Sequence, residues 1–226
     1  MSYPWNGLLS ESDLEIYKVV GFGKPMGLGK RPALLVIDVQ YRTSGSSSVP
    51  ILDAMKEYRT ACGEYAWSAI PRIAELIRAF RAKSLPVIYP IVAKKTSYDS
   101  GGLAAKMPAV LEVDDKGYEI VREIAPEPGE LLLPKVHASA FAGTPLASYL
   151  VHLGVDSLVV TGCSTSGCVR ATVVDASFLN YRVAVPYDAV YDRIQASHAI
   201  NLFDMASKYA DVCPAQDVIV GLETAN

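Results

Sequence analysis

What most constrains this chain is an alternation that runs through most of its length. Short unbroken apolar runs, ALLVID (33–38), LPVIYPIV (85–92), ELLLPKV (130–136), SLVVTG (157–162) and RVAVPYD (182–188), are separated by segments of helical spacing. A strand with one wet face alternates polar and apolar residues, whereas a continuous apolar run is buried on both faces. Two-sided burial needs helices above and below the sheet, and right-handed crossovers between parallel strands supply them. EYAWSAIPRIAELIRAFRAKS (64–84) sets Ile70, Ile73, Ala74, Ile77 and Phe80 at helical spacing. Thr144-Pro145 opens a helix over PLASYLVHLG that stops at Gly154. GCVRATVVDASFLN (167–180) and ASHAINLFDMASKYA (196–210) are read as further helices, and DVCPAQDVIVGL closes the chain. The expected architecture is a three-layer α-β-α stack around a mostly parallel, about six-stranded sheet. Residues 31–226 are read as a single domain and residues 1–30 as an arm packed on its outside. Within the arm, GFGKPMGLG lacks the order of a phosphate loop and precedes a strand, so it is read as a flexible lead-in.

Composition excludes several classes of function. Half of the 226 residues are hydrophobic and 20% are charged, the profile of a globular protein with one substantial core. A net charge of −3 without any Lys/Arg block offers no face for nucleic acid. No apolar run approaches the roughly 18 residues of a membrane span, and MSYPWNGLLSESDLEIYK lacks the pattern of a signal peptide. Four Cys without regular spacing suggest no disulfide framework, so a cytoplasmic location is expected. The three His stand apart from one another and no CxxC pair exists, so neither a metal site nor a cofactor is expected.

In open α/β sheets ligands bind beyond the carboxyl ends of the strands. Three runs end there in a reactive side chain: Asp38 on the first, Lys135 on the third, and Cys168 just past the fourth, in TGCSTSGCVR (161–170). A thiol at the start of a helix has its thiolate favoured by the dipole, a nearby Lys adds to this, and an Asp can take the proton. The CSTSG turn gathers backbone N–H groups around one point, as an oxyanion requires. Singly, each residue also fits a plainer role. Asp38 could cap a helix, Lys135 could lie along the surface, and Cys168 could be buried and inert. Their convergence on one rim of the sheet is what favours chemistry.

ALLVIDVQ, LPKVHASAF and VVTGCSTSGCVRATVVDA resemble, in order, the three signature segments of the isochorismatase-like cysteine hydrolases. The resemblance runs from about residue 30 to the end. The third segment and HAINLFDMASKYADV are similar to the N-carbamoylsarcosine amidase and maleamate amidase subgroup. The resemblance implies a Rossmann-like fold, an Asp38-Lys135-Cys168 triad, and an oxyanion hole made by the backbone N–H groups of Ser164 and Cys168. It places a cis peptide between Cys163 and Ser164 and leaves Cys163 as a spacer. It implies a homodimer or homotetramer acting on a small-molecule amide. Arg193, in VYDRIQ, aligns with the subgroup's carboxylate-binding arginine, though a surface loop would equally carry it. Arg170 and Phe141 are read as structural.

Two departures narrow the activity. DVQYRTSGSSSVPILDAM holds no His, which disfavours the metal-dependent nicotinamidases of the family. Isochorismatase itself lacks the nucleophilic Cys, so Cys168 argues against vinyl-ether hydrolysis. DVQYRTSG also lacks the acidic-aromatic pair common at that point in the family. Three readings follow: an N-carbamoyl amino-acid amidase, an amidase of a short dicarboxylic monoamide such as maleamate, and a non-catalytic or redox-sensing protein using Cys168. The long polar stretch 94–129 is expected to cover the pocket or to meet another subunit.

Overall fold

A computed structural model describes residues 3–96, 98, 99, 105–108 and 111–224. Seven strands form one sheet in the order β3-β2-β1-β4-β5-β7, with a short β6 pairing to the end of β4. Every strand pair is parallel. The strands are β1 (Pro32–Ile37), β2 (Val87–Val92), β3 (Leu131–Lys135), β4 (Ser157–Cys163), β5 (Arg182–Pro186), β6 (Val190–Tyr191) and β7 (Asp211–Cys213). The two strands beyond the five apolar runs are β6 and β7, of 2 and 3 residues. Pieces that short carry no periodicity to read.

β1 shows why its sequence is apolar at successive positions. Ala33, Leu35 and Ile37 join one core cluster, while Leu34 and Val36 join the cluster on the opposite face. The first face packs against α5 (Leu146–His152), α6 (Arg170–Phe178) and α7 (Gln195–Lys208), through Leu146, Val173, Leu202 and Met205. The second packs against α4 (Glu64–Ala82) and α8 (Ala215–Thr224), through Ile70, Ile73, Ile77, Phe80, Val218 and Leu222. Burying a side chain such as Phe80 completely contributes about 2–3 kcal/mol. Three layers result, as the alternation predicts.

Residues 3–31 lie against the sheet's β7 edge. Trp5 stacks on Tyr3 and meets Phe203 edge-on, while the N–H groups of Met26 and Gly27 donate to the Asp211 carboxylate at the start of β7. The arm also carries a helix that its mixed sequence did not announce, α1 (Glu11–Val20). Ser10 and Asp13 close a reciprocal cap on it, and Gly21, at φ +76°, ends it. Two short helices, α2 (Tyr41–Ser44) and α3 (Ile51–Glu57), occupy the loop after β1. None of the described helices is long and apolar enough to cross a membrane.

Candidate active site

The carboxyl ends of β1, β3 and β4 converge, bringing Asp38, Lys135 and Cys168 to one point. Asp38 follows β1 directly and holds a left-handed backbone at φ +53°. Lys135 ends the edge strand β3 and turns inward; its Nζ donates to Asp38 Oδ2 at 2.8 Å and to the His137 carbonyl at 3.2 Å. Both charged side chains are almost fully buried, at 1% and 3% exposure. Removing one partner from such a pair strands an uncompensated charge and costs about 3–5 kcal/mol. Asp38 Oδ1 is also buried, yet no donor meets it.

Burial sets the protonation of these groups. It pushes the Asp38 carboxyl above its ordinary value, against the opposing pull of Lys135. It likewise pushes the Cys168 thiol up, and the charge of Asp38 adds to the rise. Burial works against the Lys135 ammonium, but Asp38 and Cys168 outweigh it and hold that pKa above normal. In the resting site, therefore, the lysine is charged and the thiol keeps its proton.

The turn that carries Cys168 is fixed by its own backbone and from behind. Gly162 sits at φ +101°, where an added Cβ would run into the Ile37 carbonyl oxygen, so only glycine lets β4 and β1 close here. The Cys163–Ser164 peptide is cis, where the resemblance puts it. The Ser164 carbonyl accepts from the N–H groups of both Gly167 and Val169, which wraps residues 165–169 into one wide helical turn. Cys168 lies in that turn, two residues before α6 begins, rather than at the helix start itself. Asp192 Oδ2 accepts from the Ser166 N–H and hydroxyl at 2.8 and 2.7 Å. Thr165 Oγ1 meets His198 Nδ1 at 2.8 Å, and burial lowers the His198 pKa, favouring neutral imidazole. Thr172 Oγ1 donates to the Cys168 carbonyl and accepts from the Ala140 N–H, joining this turn to the loop after Lys135.

Arg193 reaches the same turn. Its Nη1 donates to Ser164 Oγ at 3.0 Å and its Nη2 to the Thr60 carbonyl. The surface-loop alternative is thereby set aside: this guanidinium lies largely buried beside the cis bond. Arg170 instead binds Asn201 and Asp204 on α7, and Phe141 packs against Tyr181 and the core, so both are structural as read. Sequence reasoning passed over Thr60, Asp192 and His198. For Asp192 a signal existed, its place beside Arg193; for the other two there was none.

The roof comes from the loops after β1 and β2. Gln40 Nε2 donates to the Tyr118 carbonyl at 2.6 Å, and Gln40 pairs with Ile120 in an antiparallel bridge. Buried Arg42 lies over the Tyr118 ring, 4.9 Å from its centroid. Lys95 has its pKa lowered by partial burial and by the charges of Lys135 and Arg42, so three cations lie near one another beside the triad. Residues 97, 100–104, 109 and 110 of the 94–129 stretch fall outside the described residues. Among the described residues no cluster of three or more His, Cys, Asp or Glu could hold a metal ion.

Known proteins resemble this chain in sequence and in fold. The isochorismatase domain family matches residues 32–217. Maleamate amidohydrolase of Pseudomonas putida is 35% identical over 88% of this chain and 90% of its own length. N-carbamoylsarcosine amidase of an Arthrobacter species is 31% identical over 94% of this chain and 79% of its own. Among solved structures, N-carbamoylsarcosine amidase of Thermoplasma acidophilum is 28% identical, with a TM-score of 0.66 over 82% of this chain and 96% of its own. A cysteine hydrolase of Pseudomonas syringae, at 23% identity, shares the fold at a TM-score of 0.77 over 87% of this chain and 94% of its own. The chain belongs to the isochorismatase-domain family.

Proposed function

We propose that this protein is a cysteine-dependent amidohydrolase that cleaves the C–N bond of a small, carboxylate-bearing linear amide or N-carbamoyl compound. The observation that carries the reading is the buried Lys135–Asp38 pair, whose carboxyl keeps one oxygen free of Lys135 and lies within hydrogen-bonding reach of the Cys168 thiol. That oxygen is where the thiol proton goes. Cys168 Sγ attacks the carbonyl carbon as its proton passes to Asp38, and the backbone N–H groups of Ser164 and Cys168 receive the oxyanion. Asp38 then protonates the departing nitrogen, ammonia leaves, and a thioester remains. Water enters, gives a proton to Asp38 and attacks the thioester, and the thiol is restored as the acid departs. Lys135 keeps its proton throughout and steadies the carboxylate. Each oxyanion donor is commonly worth about 3 kcal/mol, which explains why the turn is fastened so thoroughly from behind.

Arg193, with Ser164 Oγ, is assigned to the substrate carboxylate, because a guanidinium fork presents two parallel donors to a planar anion. The primary substrate reading is an N-carbamoyl amino acid, released as ammonia and a carbamate that loses carbon dioxide. A maleamate-type monoamide is the second reading, favoured by the 35% identity to a maleamate amidohydrolase. The test is ammonia release from N-carbamoylsarcosine and maleamate side by side, with Cys168→Ala as control. Turnover of either substrate should fall on the order of 10⁴-fold in the variant. Turnover that survives in Cys168→Ala defeats the thioester route. Preference for maleamate replaces the first substrate reading by the second.

A further inference from the structure

Two thiols that the proposed chemistry does not use lie together beneath the turn. Cys163 ends β4, Cys62 stands just before α4, and their sulfurs are 4.0 Å apart although 101 residues separate them in the chain. Both are closed off from solvent, at 1% and 0% exposure. The sequence reading left Cys163 as a spacer; a second sulfur stands against it, at a sequence distance that no spacing rule could reveal.

The surroundings of this pair are those of the substrate anchor. Cys163 Sγ lies 3.2 Å from Ser164 Oγ, the atom that accepts from Arg193. Arg193 also holds the carbonyl of Thr60, two residues before Cys62. One ring of contacts thus joins both sulfurs, Ser164 and the guanidinium. The two thiols are also unequal. The hydrogen bond with Cys163 and the charge of Arg193 lower the Cys62 pKa, whereas burial drives Cys163 well above the normal range. Cys62 is thus the sulfur more ready to lose its proton and attack, and Cys163, 4.0 Å away, is placed as its resolving partner.

We propose that Cys62 and Cys163 form a peroxide-sensitive redox pair whose disulfide disengages the substrate anchor. The Cys62 thiolate attacks a peroxide oxygen, giving a sulfenic acid and, once protonated, water. Cys163 then attacks the Cys62 sulfur, the S–S bond forms, and a second water leaves. In all, two thiols lose two electrons and two protons, and one hydrogen peroxide becomes two waters. The buried position selects a small oxidant of this kind. An S–S bond measures about 2.05 Å, so the sulfurs must close by roughly 2 Å. Ser164 follows Cys163 directly and Thr60 precedes Cys62 closely, so this movement shifts both groups that hold Arg193. The effect on turnover rests on the amidohydrolase reading; formation of the bond does not.

The experiment treats reduced protein with hydrogen peroxide, blocks free thiols, and maps the peptides without reductant. In a Cys168→Ala background, the protein should become about 2 Da lighter and yield a Cys62–Cys163 linked peptide that dithiothreitol dissolves. Absence of that peptide at every peroxide concentration that leaves the fold intact overturns the proposal. In the wild type, amide hydrolysis should fall on the order of tenfold or more and return with dithiothreitol. Cys62→Ala, measured against its own untreated rate, should show a smaller reversible fractional loss. An equal reversible loss in Cys62→Ala would trace the effect to Cys168 and overturn the regulatory role. Reduced protein idle on every amide would defeat the amidohydrolase reading, while the peptide map still decides whether the pair forms.

Discussion

The floor and the roof of the pocket are built by opposite means. The floor, residues 162–168 with their anchors, is held by short-range backbone constraints and by buried polar groups that each have a defined partner. A glycine that admits no side chain, a carboxylate under Ser166, a hydroxyl on His198 and a guanidinium on Ser164 all fix one loop. The roof, made by the loops after β1 and β2, rests on contacts between distant segments, such as Gln40 with Tyr118 and Tyr58 with Asp114. Over-determination suits the place where an oxyanion must be met without rearrangement.

This contrast predicts that damage to the floor costs more than damage to the roof. After loss of Cys168, the largest effect expected is from Lys135→Met, which leaves Asp38 as a lone buried carboxylate. Denaturant unfolding should show a loss of about 3–5 kcal/mol, and amide hydrolysis should vanish with it. Retained activity in that variant would remove Lys135 from the site. Asp192→Asn should lower kcat roughly tenfold to a hundredfold with little change in KM, since it loosens the turn without meeting substrate. A change confined to KM would place Asp192 with Arg193 in binding instead.

The third expectation concerns pH. Burial first, and then the charge of Asp38, raise the Cys168 pKa, so the thiolate fraction at neutral pH is smaller than in an ordinary thiol. Alkylation by iodoacetamide should therefore still be rising past the ordinary thiol pKa of about 8.5. Asp38→Asn removes one of the two causes and should speed alkylation at pH 8. A plateau in the wild type below pH 8 would contradict a resting site in which the thiol keeps its proton. The smallest effect belongs to the roof. The Tyr58 phenol is pushed up to about 12 by burial and by Asp114, and so remains a donor at any working pH. Tyr58→Phe should cost about 1 kcal/mol of stability and leave turnover within a few-fold. A larger loss of activity would mean that the roof takes part in positioning substrate.

The same contrast governs what the sequence disclosed. Asp38, Lys135 and Cys168 stood at strand ends, and an apolar run marks a strand end plainly. The turn was legible because its requirements are local: Gly, Ser and Thr where the backbone must bend tightly. Arg193 was legible only through its alignment with relatives, and its bonds to Ser164 and Thr60 were not. Thr60, Cys62 and His198 reach the site across more than 30 residues of chain, and no spacing or periodicity records such a meeting. β6 and β7 were missed because 2 or 3 residues show no pattern, and α1 because no buried face imposes one.

Lys135 has a consequence beyond the pocket. It sits on an edge strand, and exposed edges invite another chain to add a strand. Pro134 beside it offers no N–H to a newcomer, and Lys135 itself spends its charge inward. At the far edge, β7 is only 3 residues long and the arm's Met26 and Gly27 already occupy Asp211. The sheet is thus stopped at both margins by unrelated devices. Each margin carries a feature that discourages a further strand.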